Sequence, residues 1–98
     1  MDTAGLSPYV QAHLDAVKRN DIGAVTEDFA PVLRPFLSGI VGSLPAVIAA
    51  TENLSIEADG EQAIVLNRLV GDNGVTIMMR SVWRQVDGRP RIVDGAPV

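Results

Sequence analysis

Three turn signals divide the second half of the chain, and they constrain its fold more than any other feature. Asp59-Gly60, Asp72-Asn73-Gly74 and Asp87-Gly88 each separate two apolar runs. Asp-Gly and Asn-Gly are strong hairpin signals, because the tight turns that join antiparallel strands need residues at positive φ. The pattern therefore predicts a meander of four antiparallel strands, at about residues 53–58, 62–71, 75–86 and 89–96.

The first part of the chain has the signals of two helices. Ser7-Pro8 suits a helix start, with serine as the N-cap and proline in the first helical position. Asn20-Asp21 suits the end of this helix and the N-cap of a second, shorter one. Helical spacing places one group of side chains on the inward face of the first helix: Val10, His13, Leu14 and Val17.

The middle of the chain has weaker signals. Residues 31–45 contain three prolines and two glycines, which interrupt any long element. A short strand near Val32-Leu33 and a third helix within residues 36–50 are the expectations here. Helices followed by a strand meander indicate an α+β domain, and 98 residues suit one domain covering residues 1–98.

Composition and charge exclude several functional classes. The net charge of −4 argues against a general nucleic-acid binder, which usually carries a basic footprint. The absence of cysteine and the single histidine make a zinc site unexpected, and no Gly-rich phosphate loop is present, so neither a metal nor another cofactor is expected. No signal peptide is visible and the apolar stretch 36–51 is too short to span a bilayer, so we expect a cytoplasmic protein without a membrane partner.

The turns also predict which side chains share a face of the sheet. With two-residue turns at Asn73-Gly74 and Asp87-Gly88, Trp83 would lie opposite Ile92 and Ser81 opposite Asp94. The face that holds the only tryptophan is assigned to the inside, under the helices. It would carry Ile64, Leu66, Val70, Ile77, Met79, Trp83, Ile92 and Ala96, together with the polar residues Arg68, Ser81 and Asp94.

The opposite face would be partly apolar, which suggests a role in self-association. It would carry Ala63, Val65, Leu69, Met78, Val82 and Val93, mixed with Asn67, Arg80, Arg84 and Arg91. A solvated sheet face shows cleaner alternation, so a homodimer built through this outer face is predicted. Scattered exposed apolar residues are the alternative, since these are common on monomers. The arginines Arg80, Arg84, Arg89 and Arg91 are interpreted as a solvated surface, with an anion site as the alternative.

Both ends of the chain resemble the NTF2-like superfamily, which includes SnoaL-like polyketide cyclases, ketosteroid isomerases and limonene-epoxide hydrolases. The segment Tyr9–Val25 (YVQAHLDAVKRNDIGAV) resembles its paired N-terminal helices, and Val82–Val93 (VWRQVDGRPRIV) resembles its last hairpin. The resemblance covers roughly half the chain, and the short, proline-rich middle departs from it. It implies a curved sheet wrapped around helices like a cone, with a pocket between the concave face and the first helices.

The chemistry of the superfamily transfers poorly to this chain. When Asn20-Asp21 is aligned with the family's Gly-Asp, His13 falls where ketosteroid isomerases keep an oxyanion-binding tyrosine. Their general-base aspartate would fall near Leu37, which cannot take a proton. The Asp-Arg-Asp set of the epoxide hydrolases has only a loose counterpart in Arg68 and Asp94.

The candidate site combines His13 with Asp94 as a possible acid–base pair. A carboxylate near an imidazole raises the imidazole pKa, and an inward Asp94 would need a partner such as Arg68, Ser81 or His13. A packed core histidine and a structural ion pair are the respective alternatives. The residues expected to line a ligand pocket are Tyr9, Arg68, Met79, Ser81 and Trp83. The alternatives are a core position for Trp83, an Arg68 that reaches out past the sheet edge, and an exposed Tyr9.

Three functions fit these expectations. The first is binding of a small hydrophobic molecule in a mainly apolar pocket, which is the usual form of such sites. The second is a cofactor-independent isomerase, cyclase or hydrolase that uses His13 and Asp94. The third is a dimerisation or interaction module whose pocket is filled by Trp83, Met79 and Phe36.

Overall fold

A computed structural model of the chain describes residues 1–42 and 44–98, and it confirms the α+β architecture. The N-terminal helices pack on a curved, open, four-stranded antiparallel sheet in the order β1-β2-β3-β4, consistent with a cone-like shape. The elements are α1 (Thr3–Arg19), α2 (Ile22–Glu27), a 3₁₀ helix (Pro31–Phe36), α3 (Leu37–Gly42), β1 (Ile48–Asp59), β2 (Gln62–Gly71), β3 (Thr76–Val86) and β4 (Arg89–Pro97).

The junction between the first two helices forms as its sequence predicts. Asn20 ends α1 in the left-handed conformation at φ 57°, and the side chain of Asp21 accepts a hydrogen bond from the Ala24 N–H at the start of α2. The start of α1 differs from the prediction, because Asp2 rather than Ser7 provides the N-cap. The extra turn buries Leu6, which offsets the cost of Pro8 inside the helix.

The middle segment is helical rather than extended. Val32 and Leu33 lie in the 3₁₀ helix, so the predicted strand at these residues is wrong. Pro31 stands at the first helical position, where its missing N–H and fixed φ favour a helix start over a sheet ladder. The predicted third helix is confirmed by α3, while part of its predicted range, from Ile48 onward, belongs to β1.

The β2–β3 turn is one residue longer than predicted, and this reverses which side chains of β2 face inward. Gly71 and Val75 close a three-residue loop in which Gly74 has φ 83°. Leu69 therefore lies opposite Ile77, and Val65 lies opposite Ser81. The buried residues of β2 are Ala63, Val65, Asn67, Leu69 and Gly71. The predicted inward orientation of Ile64, Leu66, Arg68 and Val70 is wrong, because a slip of one residue sends every side chain to the other face.

The β3–β4 hairpin confirms one predicted pair and contradicts the next. Asp87 and Gly88 form a two-residue turn at φ 52° and 84°, and Trp83 lies opposite Ile92. A β-bulge follows, in which Val93 is the extra residue and Asp94 lies opposite Val82. Asp94 is therefore exposed on the outer face, and its predicted inward orientation is wrong.

The free edge of β4 pairs with the segment that follows α2. The Ala30 N–H donates to the Ile92 carbonyl at 2.8 Å, and the Ile92 N–H donates to the Asp28 carbonyl at 2.7 Å. This short parallel bridge covers the sheet edge and carries Asp28 and Phe29 under α1. Within the described residues, no helix is long and apolar enough to cross a membrane.

Candidate functional site

His13 lies on the buried face of α1, as its spacing with Val10 and Leu14 predicts. The rings of Phe29 and Trp83 contact the imidazole in T-shaped arrangements, with centroid distances of 6.0 Å and 5.8 Å. These two edge contacts restrict the orientation of the imidazole.

The partner of His13 is Asp28, not Asp94. The His13 Nδ1 lies 2.9 Å from the Asp28 Oδ2, and both side chains are about nine-tenths buried, at 11% exposure each. Asp28 is the C-cap of α2, and the backbone bridge to Ile92 places it beneath α1. The predicted pairing of His13 with Asp94 is therefore wrong, and Asp28 is the carboxylate beside the imidazole.

Arg89 completes the cluster around Asp28. Its guanidinium donates to the Asp28 Oδ1 at 2.6 Å and to the Pro90 carbonyl at 3.1 Å. The same guanidinium lies over the ring of Tyr9, with 5.2 Å between its Cζ and the ring centroid. Tyr9 thus covers the outer side of the ion pair, and it does not line the cavity described below.

The carboxyl group of Asp28 is ionised by this arrangement. Burial alone would raise the pKa of Asp28, but the hydrogen bonds and charges of His13 and Arg89 outweigh burial. The pKa of Asp28 therefore lies below its ordinary value of 3.8. At neutral pH, Asp28 presents only hydrogen-bond acceptors to His13 and Arg89.

An inner cavity of about 60 Å³ lies between α1, α3 and the inner face of the sheet. Three polar side chains reach it, namely His13, Asn67 and Ser81. The rest of its wall is apolar or backbone and includes Leu14, Val17, Val25, Phe29, Ile40, Val41, Leu44, Leu69, Met79, Ile92 and Gly95. The cavity is therefore mainly apolar and is reached by a few polar groups.

A second, outer groove of about 190 Å³ adjoins the inner cavity. It runs between the C-terminal end of α1, α2 and residues 44–48, with Lys18 and Asn20 at its border. The two spaces share the wall residues Val17, Val25, Val41 and Leu44. The outer groove and the inner cavity therefore lie on opposite sides of a common wall.

The predicted site residues divide into three groups. His13, Met79 and Ser81 line the inner cavity. Trp83 is 1% exposed and lies in the core behind Ser81, whose Oγ accepts a hydrogen bond from the indole Nε1–H at 3.0 Å. Arg68 and Asp94 lie on the outer face, where Arg68 pairs with Glu52 and the Asp94 Oδ1 accepts from the Gly95 N–H.

Sequence reasoning missed Asp28, Asn67 and Arg89. The signal for Asp28 was its position, because an acidic residue at a helix C-terminus opposes the helix dipole and is unfavourable unless it has another partner. Asn67 was assigned to the outer face by the register error. Arg89 was grouped with three other arginines, of which Arg80 and Arg84 are indeed exposed.

Known proteins and metal chemistry give no further guide to the site. Comparisons with family models, with curated proteins and with solved structures found no match to the chain. Among the described residues, no group of three or more histidine, aspartate or glutamate side chains is placed to hold a metal ion. The geometry of the cavity is therefore the basis for a functional assignment.

Proposed function

We propose that the protein binds a small, mainly apolar molecule in the inner cavity. The observation that carries this proposal is the convergence of three polar side chains, His13, Asn67 and Ser81, on an otherwise apolar chamber. Ligand pockets usually have this form, with apolar walls and a few polar groups that orient the ligand.

A purely structural core would be built differently. Each of the three polar side chains has a hydrogen-bond partner in the fold, and each also has a donor or acceptor that this partner does not engage. Phe36 is 64% exposed and Trp83 lies behind the wall, so these two side chains do not fill the chamber as the third predicted function requires. Both observations support a cavity that accepts a molecule.

The size of the cavity limits the ligand. A water molecule needs roughly 10–15 Å³ of such space, so a 60 Å³ cavity holds on the order of four waters. A single small ring or a short branched chain matches this space.

Cyclopentanol serves as a small cyclic probe of binding. Saturation-transfer NMR and chemical-shift changes in the amide spectrum of the protein detect whether it binds. Val25→Phe would add bulk to the wall that the cavity shares with the groove, and it is expected to abolish binding. Val32→Phe, on the exposed side of the 3₁₀ helix, is the matched control and should bind like wild type. Equal binding by Val25→Phe and wild type, or no shift around the cavity in wild type, would contradict the proposal.

Acid–base catalysis is a second candidate function, and the His13–Asp28 pair favours it. An ionised aspartate that orients an imidazole is a common arrangement for a general base. The reaction class would be a cofactor-independent isomerisation, cyclisation or hydrolysis, with Asp28 in the role that the sequence assigned to Asp94. Any turnover found for a bound molecule should fall by at least about a hundredfold in His13→Gln, and an unchanged rate would end this candidate.

Membership of the NTF2-like superfamily and a homodimer remain part of the proposal. The helix junction at Asn20-Asp21 over a curved sheet supports the family. The corrected register supports the dimer, because it places Ile64, Leu66 and Val70 on the outer face beside Met78, in place of Ala63, Val65 and Leu69. Two outer faces packed together would cover these side chains.

A further inference from the structure

The two ring nitrogens of His13 have different surroundings, and this difference determines what the cavity can recognise. Nδ1 faces Asp28, which is an ionised acceptor that also receives a hydrogen bond from Arg89. A carboxylate can only accept, so the imidazole proton lies on Nδ1. Nε2 of the neutral ring then carries a lone pair, and no hydrogen bond among residues 1–42 and 44–98 engages it.

The other two polar groups of the cavity have equally defined roles. The Asn67 Nδ2 donates to the Asn53 Oδ1 at 3.2 Å, which leaves the Asn67 Oδ1 as an acceptor. The Ser81 Oγ accepts from the Trp83 indole, which is a donor only, so the hydroxyl hydrogen of Ser81 remains to be donated. The second Nδ2–H of Asn67 is a further donor, so the cavity offers two acceptors, His13 Nε2 and Asn67 Oδ1, and two donors.

From these roles we infer that the cavity selects a small apolar alcohol, whose hydroxyl group donates to the Nε2 of His13. This inference rests on the proposed binding function and names the chemical class of its ligand. A hydroxyl group can donate to His13 or Asn67 and can also accept from Ser81. A ketone of the same size can only accept, so it could bind the donors of Ser81 and Asn67 but would leave the lone pair of His13 Nε2 without a donor.

Asp28→Asn should invert this preference. The guanidinium of Arg89 has donors only, so the amide oxygen introduced by the substitution would turn towards Arg89. The amide NH₂ would then face Nδ1 of His13 and donate to it. That bond moves the imidazole proton to Nε2, which becomes a donor suited to a ketone.

The experiment compares cyclopentanol with cyclopentanone, which share one carbon skeleton. His13 is the only histidine in the chain, so a ¹⁵N imidazole spectrum reports its tautomer without assignment work. Spectra and NMR titrations are recorded for wild type and Asp28→Asn at about pH 8.5, above the ordinary titration range of imidazole. Wild type should carry its proton on Nδ1 and bind the alcohol at least about fivefold more tightly, and Asp28→Asn should lose or reverse both properties.

The possible outcomes distinguish a failure of the alcohol preference from a failure of the proposed binding function. Equal or tighter binding of the ketone by wild type, or a proton on Nε2 in wild type, would overturn the inference and leave the binding function in place. Failure of both probes to bind would overturn the binding function, and the alcohol preference with it. If Asp28→Asn does not fold, the two wild-type measurements decide the question by themselves.

Discussion

Replacing Asp28 by alanine should be among the most damaging single changes on the inner side of this fold. Asp28→Ala removes two charge-assisted hydrogen bonds, to His13 at 2.9 Å and to Arg89 at 2.6 Å. Bonds to charged groups contribute about 1.5–3 kcal/mol each. The Arg89 side chain is 26% exposed and water can replace part of its lost bond, so its share is discounted. We expect the free energy of unfolding to fall by about 2–4 kcal/mol.

Urea unfolding followed by the fluorescence of Trp83 measures this loss. Trp83 is the only tryptophan, is 1% exposed and lies 5.8 Å from the His13 ring, so its emission reports the packing around the pair. A loss of this size lowers the melting temperature by about 8–32 °C in a domain of this length. Asp94→Ala is the matched control, because Asp94 is exposed on the outer face, and it should stay within about 0.5 kcal/mol of wild type.

The effect of Asp28→Ala should also depend on pH with a definite sign. The pKa of Asp28 is lower in the folded chain than its ordinary value of 3.8, so its carboxylate stabilises the fold above that pH. This stabilisation is lost as the pH falls through the lower folded value. The stability gap between wild type and Asp28→Ala should therefore be full at neutral pH and close in strong acid. A gap no larger than that of the Asp94→Ala control at neutral pH would refute the proposed role of the ion pair.

Two further substitutions test the outer face and the end of β2. Leu66→Glu should convert a dimer to a monomer in sedimentation velocity, while Val32→Glu on the 3₁₀ helix should leave the assembly unchanged; a monomeric wild type would contradict the proposed dimer. Gly71→Ala should cost about 1–3 kcal/mol in urea unfolding, because the added Cβ would lie 2.7 Å from the Cβ of Pro45. Gly39→Ala has nothing within 4 Å of the added Cβ and should be neutral or stabilising by up to about 1 kcal/mol, so similar losses in both variants would contradict this packing.

Local signals in the sequence predicted the elements of this fold better than their faces. The helix junction at Asn20-Asp21 and the hairpin turn at Asp87-Gly88 depend only on neighbouring residues, and both formed as expected. The orientation of β2 depends on whether the loop at Asp72 has two or three residues. One additional loop residue moves every side chain of β2 to the opposite face of the sheet. Asn67 and Arg68 therefore lie on the faces opposite to those predicted, although the strand itself was predicted correctly.

The candidate site was harder to predict because it depends on contacts between distant parts of the chain. The spacing of α1 was enough to place His13 inside. Its partner Asp28 reaches it only because the backbone after α2 pairs with Ile92 at the edge of β4. Nothing in the residues around Asp28 encodes that pairing, and only its unfavourable position at a helix C-terminus marked it as unusual.

The bulge at Val93 explains why the predicted inward orientation of Asp94 is wrong, and it also leaves the cavity open beside Ser81. Without the extra residue, Asp94 would lie opposite Ser81 on the inner face, as a buried carboxylate at the cavity wall. With it, Gly95 takes that position, and Gly95 is one of the residues that line the cavity. A glycine contributes no side chain, so the wall stays open at this point and no second negative charge enters the chamber beside Asp28. The bulge in β4 thus places Gly95, which has no side chain, where the Asp94 carboxylate would otherwise lie. The cavity beside His13 depends on this replacement.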